Sequence, residues 1–215
     1  GRADEGDIQV KDPAAVWAGK FGVEYALRNK NAPYDARRRL VCRMYDAARE
    51  EMGSHPIVLE VGCGDAQNLT VLSAERGIRS LYGLDANKNV LEGVRARTPA
   101  ALQTGVADRL PFRNDFANYV FTVGLLIHIP TILLPKVLNE LWRVSACAVG
   151  IAEYSSQKEE EIEYRGMMGM LWKRPYEQLL LKACPGSKIV AGGTERKSAG
   201  GFDDLDWVVA VKKTS

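Results

Sequence analysis

The segment Ile57-Val58-Leu59-Glu60-Val61 constrains this chain most. It is a short, β-branched apolar run that ends in Gly62-Cys63-Gly64-Asp65-Ala66 and passes into a helical pattern at Leu69–Arg76. A run of that length, with almost no polar face, reads as a strand buried on both sides, as strands are in parallel sheets covered by helices. The alternation then repeats. Ser80–Leu84 is an apolar strand closed by Asp85, and Lys88–Ala96 is helical. Leu102–Val106 is a weak strand and Tyr119–Val123 a strong one, Leu133–Val144 is an amphipathic helix, and Cys147–Glu153 is another strand. Strands alternating with helices predict a parallel sheet with crossover helices, hence an α/β doubly wound domain.

The flanks are less regular. Residues 1–12 read as a loose arm, and Asp12-Pro13 predicts a capped helix start. Val16, Trp17, Phe21 and Tyr25 recur near helical spacing over Ala14–Tyr25, and a second helix is predicted over Tyr34–Met52, stopped by Gly53-Ser54-His55-Pro56. Beyond the core, Glu159–Glu161 reads as a solvated acidic face and Arg174–Cys184 as a helix. A short strand at Lys188–Ala191, a turn-rich loop bracketed by Gly192-Gly193 and Gly200-Gly201, and a final strand at Asp206–Lys212 predict an antiparallel pair at the sheet edge. With 215 residues, one domain is expected: a helical lid segment over 1–54 on a core over 55–215.

Composition removes several function classes. Lys plus Arg is 29 against 27 Asp plus Glu, so the formal charge of +2 supplies no broad nucleic-acid footprint. Cys42, Cys63, Cys147 and Cys184 are widely spaced and form no CxxC pair, which reads as buried free thiols in a reducing compartment. With His55 and His128 the only histidines, no metal site is expected. The apolar runs fall far short of the ~20 residues of a membrane span. Gly1–Lys11 is polar and acidic, unlike a signal peptide, and Gly1 in place of Met suits a trimmed chain. A cytoplasmic location is expected.

Four signals carry chemistry. Gly62 and Gly64 let a backbone approach a ligand and expose amides near a helix N-terminus. Gln67 breaks the third position of G-x-G-x-x-G, which weighs against a nicotinamide dinucleotide. Asp85, at the end of the next strand, can accept from both ribose hydroxyls. Asp108, in Ala107-Asp108-Arg109-Leu110-Pro111-Phe112, can accept from an adenine amino group. The fourth signal is Val120–Pro130, which brings His128 to the end of the fourth core strand, where open α/β sheets bind ligands. An ordinary imidazole suits a proton acceptor there, with Glu153 as rival base and Tyr154 as acceptor ligand.

In this order and spacing, residues 55–155 resemble the class I S-adenosylmethionine-dependent methyltransferases. The resemblance implies a Rossmann-like fold, with a mostly parallel seven-stranded sheet, helices on both faces and an antiparallel edge strand. It implies S-adenosyl-L-methionine as cofactor, S-adenosyl-L-homocysteine as product and no metal. It places Glu60, Gly62, Gly64, Asp85, Ala86, Asp108, Arg109 and Thr122 along the cofactor, with Trp17, Tyr25 and Arg28 closing over it. Trp17–Tyr25 with Arg28-Asn29, Leu125–Pro130, Leu134-Pro135-Lys136, Ala152-Glu153-Tyr154, Tyr164-Arg165-Gly166, Leu171–Arg174 and Asp203–Trp207 are similar to the pseudaminic acid biosynthesis-associated methylases. Family members often carry His where this chain has Met167. That resemblance implies a small polar acceptor, an anionic sugar or nonulosonic acid derivative, methylated on oxygen or nitrogen and held by Arg165, Lys173 and Arg174. From the charge balance and the short apolar runs, no membrane partner is expected and a nucleic-acid partner is disfavoured, and the chain is expected to be a monomer or homodimer.

Three alternatives are weaker. A nucleobase methyltransferase usually shows Asp/Asn-Pro-Pro-aromatic after the fourth strand, where this chain has Thr122-Val123-Gly124-Leu125. An oxidoreductase leaves Asp108 and the C-terminal motifs unexplained. A silent nucleotide-binding protein of the same fold is separated from an enzyme only by turnover.

Overall fold

The computed structural model describes residues 8–9, 12–29, 33–201 and 203–212. Residues 1–7, 10 and 11 of the expected arm lie outside these, as do 30–32 within the expected lid segment. The chain begins with β1 (Ile8–Gln9), α1 (Pro13–Ala18), α2 (Lys20–Asn29) and α3 (Tyr34–Ala48). The alternating core follows as β2 (Ile57–Val61), α4 (Gln67–Arg76), β3 (Ser80–Asp85), α5 (Lys88–Val94), β4 (Ala101–Thr104), β5 (Ala117–Val123), α6 (Leu134–Val144) and β6 (Ser145–Glu153). The chain closes with β7 (Glu160–Tyr164), β8 (Met167–Lys173), α7 (Tyr176–Ala183), β9 (Ser187–Glu195) and β10 (Leu205–Lys212).

A seven-stranded sheet runs in the order β4-β3-β2-β5-β6-β10-β9. Pairings from β4 through to β6 are parallel, and β10 is antiparallel to both β6 and β9. This is the Rossmann-like α/β fold, with the antiparallel pair at one edge. One face of the sheet packs against Leu40, Met44 and Tyr45 of α3, Leu69 and Leu72 of α4 and Leu91 of α5. The other packs against Val137, Leu138 and Leu141 of α6 and Leu180 of α7. Burial on both faces is why the strands read as continuous apolar runs rather than alternating ones. The chain leaves β2 to one side for β3 and β4 and to the other for β5 and β6, so the sheet has its switch point beside β2, where such sheets bind ligands.

Several local expectations change. The N-terminal helix is two helices, broken at Gly19, which caps α1 and donates to the Val16 carbonyl. The arm is not wholly loose, because Ile8–Gln9 pairs in parallel with Met167–Met168. The acidic run is not only a solvated face: Glu160 and Glu161 open β7, which forms with β8 an antiparallel hairpin in a separate three-stranded sheet. Its strand order alternates Ile162 and Tyr164 inward with Glu161 and Glu163 outward, a period of two that the acidic composition masks. Gly192 and Gly193 lie within β9, not in a turn. A Cβ on Gly193 would sit 3.0–3.2 Å from the Trp207 indole, so this glycine is a packing residue that admits a large ring from the neighbouring strand.

Candidate active site

A cleft of about 640 Å³ opens at the carboxyl ends of the parallel strands, between the sheet and the N-terminal helices. Each core strand delivers its last residue or the next turn to it. From β2 come Glu60 and the Gly62–Asp65 turn, from β3 Asp85–Asn87, from β4 Gly105–Asp108, from β5 Val123–Pro130, and from β6 Tyr154.

The Gly62–Ala66 turn is tied to β3. The amides of Gly62 and Cys63 both donate to the Leu84 carbonyl, at 2.7 and 3.0 Å. The Gly64 amide donates to Asp85 Oδ2 at 2.9 Å. These amides are therefore not the exposed donors expected from sequence; they fix the turn and orient the Asp85 carboxylate. Gly62 holds φ of +77°, and a Cβ on it would come 2.9 Å from Leu125 Cδ1. Asp85 Oδ1 also accepts from the Asn87 amide at 2.8 Å. Burial raises the Asp85 pKa, and three backbone hydrogen bonds oppose that.

Glu60 is buried at the end of β2. Its Oε1 accepts from Asn68 Nδ2 at 2.5 Å, and Arg37 Nη1 donates to Asn68 Oδ1 at 2.7 Å. Glu60 Oε2 is buried with no hydrogen-bond partner. Burial pushes this carboxyl up to about 8, against the Asn68 bond and the Arg37 charge. A buried acceptor of this kind is costly unless a donor reaches it. Glu60, Asp65, Asp85 and Asp108 together make an acidic wall. The residues present therefore fit S-adenosylmethionine: carboxylates suit its sulfonium and ammonium, and Glu60 Oε2 awaits a donor. Asp108 is half-buried and paired with Lys136 at 3.0 Å.

The opposite wall is aromatic. Trp17 lies 4.4 Å from the His128 ring centroid, 5.1 Å from those of Phe21 and Tyr25, and 6.4 Å from that of Tyr164. Trp17 Nε1 is buried without a partner. His128 Nδ1 lies 2.6 Å from the Met170 carbonyl in β8. Burial lowers its pKa to about 4, so the ring is neutral at neutral pH. Tyr154 donates to Asp203 Oδ2 at 2.5 Å, and Lys197 pairs with Asp203 Oδ1 at 3.0 Å.

The structure brings Trp17, Tyr25, Arg28, Glu60, Gly62, Gly64, Asp85, Ala86, Asp108, His128, Tyr154 and Arg165 to one cleft. It places five other sequence candidates elsewhere. Arg109 is exposed beyond the β4 turn. Thr122 and Glu153 are fully buried behind the wall: Thr122 Oγ1 donates to Glu153 Oε1 at 3.1 Å. The amides of Leu125, Leu126 and Ile127 also donate to Glu153, at 3.2, 3.0 and 3.2 Å. Glu153 holds the loop before His128 in place and does not line the cleft. Arg174 is 0% exposed and binds Glu159, the Leu126 carbonyl and Thr131. Lys173 ends β8 opposite Glu160.

Sequence reasoning missed Arg37, Asn68, Asn87, Tyr164, Lys197 and Asp203 as cleft residues. Asn87 had a local signal, since it stands where α5 needs an N-cap, and its Oδ1 does accept from the Val90 amide at 3.1 Å. Arg37 had none, and Asp203 stood only as part of the Asp203–Trp207 segment, because their roles depend on contacts distant in sequence.

Comparisons with known proteins agree with this geometry. Residues 58–146 match the methyltransferase domain family. No curated protein matches the chain's sequence. The 1,6-didemethyltoxoflavin-N1-methyltransferase of Burkholderia thailandensis, solved with 1,6-didemethyltoxoflavin and S-adenosylhomocysteine, is 15% identical with a TM-score of 0.73, over 97% of this chain and 94% of its own. A putative methyltransferase structure from Haloferax volcanii, solved in complex with the Trm112 activator, is 17% identical with a TM-score of 0.70, over 95% and 100%. The magnesium protoporphyrin IX methyltransferase of Synechocystis PCC 6803, with bound S-adenosylhomocysteine, is 14% identical with a TM-score of 0.69, over 93% and 98%. At these identities the neighbours speak for the fold, while the matched model covers β2 through α6, the elements that build the acidic wall, so the chain carries a methyltransferase domain over residues 58–146.

Proposed function

We propose that this methyltransferase acts on a small polar acceptor, a sugar or nonulosonic acid derivative with an acidic group. The observation that carries the reading is the division of one cleft into an acidic wall at the strand ends and an aromatic wall rimmed by Arg28, Arg165 and Lys197. Glu60, Gly62, Gly64, Asp85, Ala86 and Asp108 would hold the cofactor, with Trp17, Tyr25 and Arg28 over it. When bound, the cofactor supplies an electrophilic methyl group for in-line displacement.

The chain's own groups then have three tasks. The paired helices α1 and α2 exclude water, which strengthens every polar contact inside. His128 and Tyr154 orient the acceptor beside the end of β5. Arg165 clamps its acidic group from the tip of the β7–β8 hairpin, where Arg165 and Gly166 hold φ of +56° and +75° in a tight reversal. Positive φ at both central residues is what a two-residue hairpin turn between Tyr164 and Met167 requires.

Calorimetry with S-adenosylmethionine and NAD tests the cofactor assignment. Binding of the former alone is expected, weakened by roughly 1.5–3 kcal/mol in Asp85→Ala. Unchanged affinity in that variant removes Asp85 from the site. Turnover with acidic sugars tests the acceptor; methylation of RNA or protein with none of a sugar overturns that part alone.

A further inference from the structure

We infer that Arg174 is a positioning residue for methyl transfer: its buried guanidinium fastens the β7–β8 hairpin, which carries Tyr164 and Arg165, to the loop between β5 and α6, which carries His128. All three of those residues line the cleft. The inference rests on the acceptor reading above for what they hold, and names the side chain that fixes them relative to one another.

The loop, residues 124–133, leaves the sheet after β5, and the hairpin leaves it after β6. Arg174 stands directly after β8, at the foot of the hairpin, with its side chain 0% exposed. Its Nε donates to Oε2 of Glu159, at the other foot just before β7, at 2.6 Å. Nη1 donates to the Leu126 carbonyl at 3.2 Å, and Nη2 to Thr131 Oγ1 at 3.1 Å. Leu126 and Thr131 bracket His128 in the loop. A guanidinium only donates, so the Thr131 hydroxyl accepts from it and gives its own proton to Glu159 Oε1, at 2.8 Å. Arg174, Thr131 and Glu159 thus close a ring of three hydrogen bonds across the two segments. The Arg174 carbonyl fixes the foot itself, accepting from the amides of Ser156 and Tyr176 at 3.2 and 2.9 Å. Nearer the cleft, His128 Nδ1 donates to the Met170 carbonyl of β8 at 2.6 Å, and the Tyr164 ring lies 5.4 Å from the His128 ring.

The shape of the group is what the position requires. A carboxylate, a carbonyl and a hydroxyl surround one planar fork, and the Trp172 ring lies 5.0 Å from its central carbon. A Lys ammonium is a point charge on a flexible stem and cannot place donors at the Nε and Nη2 positions together. Burying a guanidinium is also a poor route to stability, because an apolar side chain of similar volume often serves as well or better. A fork of donors set between two cleft-lining segments does what an apolar side chain cannot: it fixes one segment against the other through directional bonds. Acceptor groups on different segments must hold a common geometry for in-line displacement, and a small misplacement far from the chemistry is enough to slow it.

Arg174→Ala orphans buried partners and endangers the fold itself, so the test uses Thr131→Val and Arg174→Lys in the full chain. Thr131 is exposed, and Val keeps its shape while removing the bonds to Arg174 and Glu159. The first arm is amide exchange with S-adenosylhomocysteine present, which needs no acceptor. Exchange is expected to quicken at least about fivefold over both 125–129 and 160–172 in each variant, with 57–66 and 80–87 unchanged. Faster exchange in one segment alone, an equal change throughout the chain, or wild-type exchange in Arg174→Lys overturns the inference. The second arm is turnover of N-acetylneuraminic acid. Both variants are expected to raise its KM at least about tenfold with cofactor Kd within about twofold, and an unchanged KM in both overturns the positioning role. A wild-type chain that does not methylate this sugar counts against the acceptor reading, and the exchange arm then decides the role of Arg174 by itself.

Discussion

Asn87 Nδ2 donates to two backbone carbonyls of the N-terminal helices, Trp17 O at 2.8 Å and Gly19 O at 2.9 Å. The same side chain caps α5 through the Val90 amide, and its own amide donates to Asp85. One residue thus couples the turn that carries the ribose-acid candidate to the element that covers the cleft. Asn87→Ala is expected to lower stability by roughly 0.5–2 kcal/mol for the cap alone. It is also expected to speed amide exchange over residues 13–29 about tenfold, which corresponds to 1.4 kcal/mol of lost tethering. Exchange that stays at the wild-type rate would show that these two bonds do not hold the covering helices.

Glu60 predicts a proton linkage. Burial raises its pKa from 4.5 to about 8 in the folded chain. Between those values the folded state holds a proton that the unfolded state has released, so Glu60 makes stability fall as pH rises through that window. Glu60→Gln should flatten that fall in denaturant titrations. A cationic ligand at Oε2 favours the ionised form, so cofactor binding should release a proton and tighten as pH rises toward 8. Calorimetry at pH 7 in two buffers of different ionisation enthalpy measures this directly, and equal heats in both would sink the linkage.

Glu153 should behave as a structural anchor. It accepts from Thr122 and from three successive backbone amides, those of Leu125, Leu126 and Ile127. Glu153→Ala orphans these buried donors and should cost roughly 3 kcal/mol or more by thermal or denaturant unfolding. Glu153→Gln keeps one acceptor and should cost less, with a pH–rate profile of unchanged shape. A Glu153→Gln protein of wild-type stability that has lost all turnover would mark Glu153 as a chemical participant instead.

Two arginines nine positions apart should respond in opposite ways. Arg174 is buried on Glu159, Thr131 and the Leu126 carbonyl, so Arg174→Ala should lower stability by about 3–5 kcal/mol. Arg165 is exposed at the cleft rim over the Tyr164 ring, its guanidinium 5.8 Å from the centroid. Arg165→Lys should leave stability within about 0.5 kcal/mol. It should raise acceptor KM with cofactor affinity intact, because Lys lacks the planar fork that grips a carboxylate. An unchanged acceptor KM would remove Arg165 from acceptor binding.

The aromatic spacing of Trp17, Phe21 and Tyr25 was legible as one helix, yet the chain bends at Gly19. The reason is tertiary: the carbonyls of Trp17 and Gly19 leave the helix ladder to bind Asn87. The β7–β8 hairpin was hidden for a related reason. Its outward strand positions are glutamates, and only the packing of Ile162 and Tyr164 against the core shows that the opposite positions face inward.

The sequence by itself determined the parallel sheet and the row of acids at its strand ends. Apolar runs, helical periodicity and the Gly62–Ala66 turn are local patterns, and the carboxyl end of a buried strand can be read from where its apolar run stops. Only the tertiary structure decided which charged residues face the cleft. Glu153 and Tyr154 are neighbours at the end of β6, yet Glu153 turns into the protein and Tyr154 toward the ligand space. Which of two adjacent side chains is consumed internally depends on donors brought from other elements, here the amides after β5 and the carboxylate of Asp203. Those partners are far off in sequence, and only folding sets their distances.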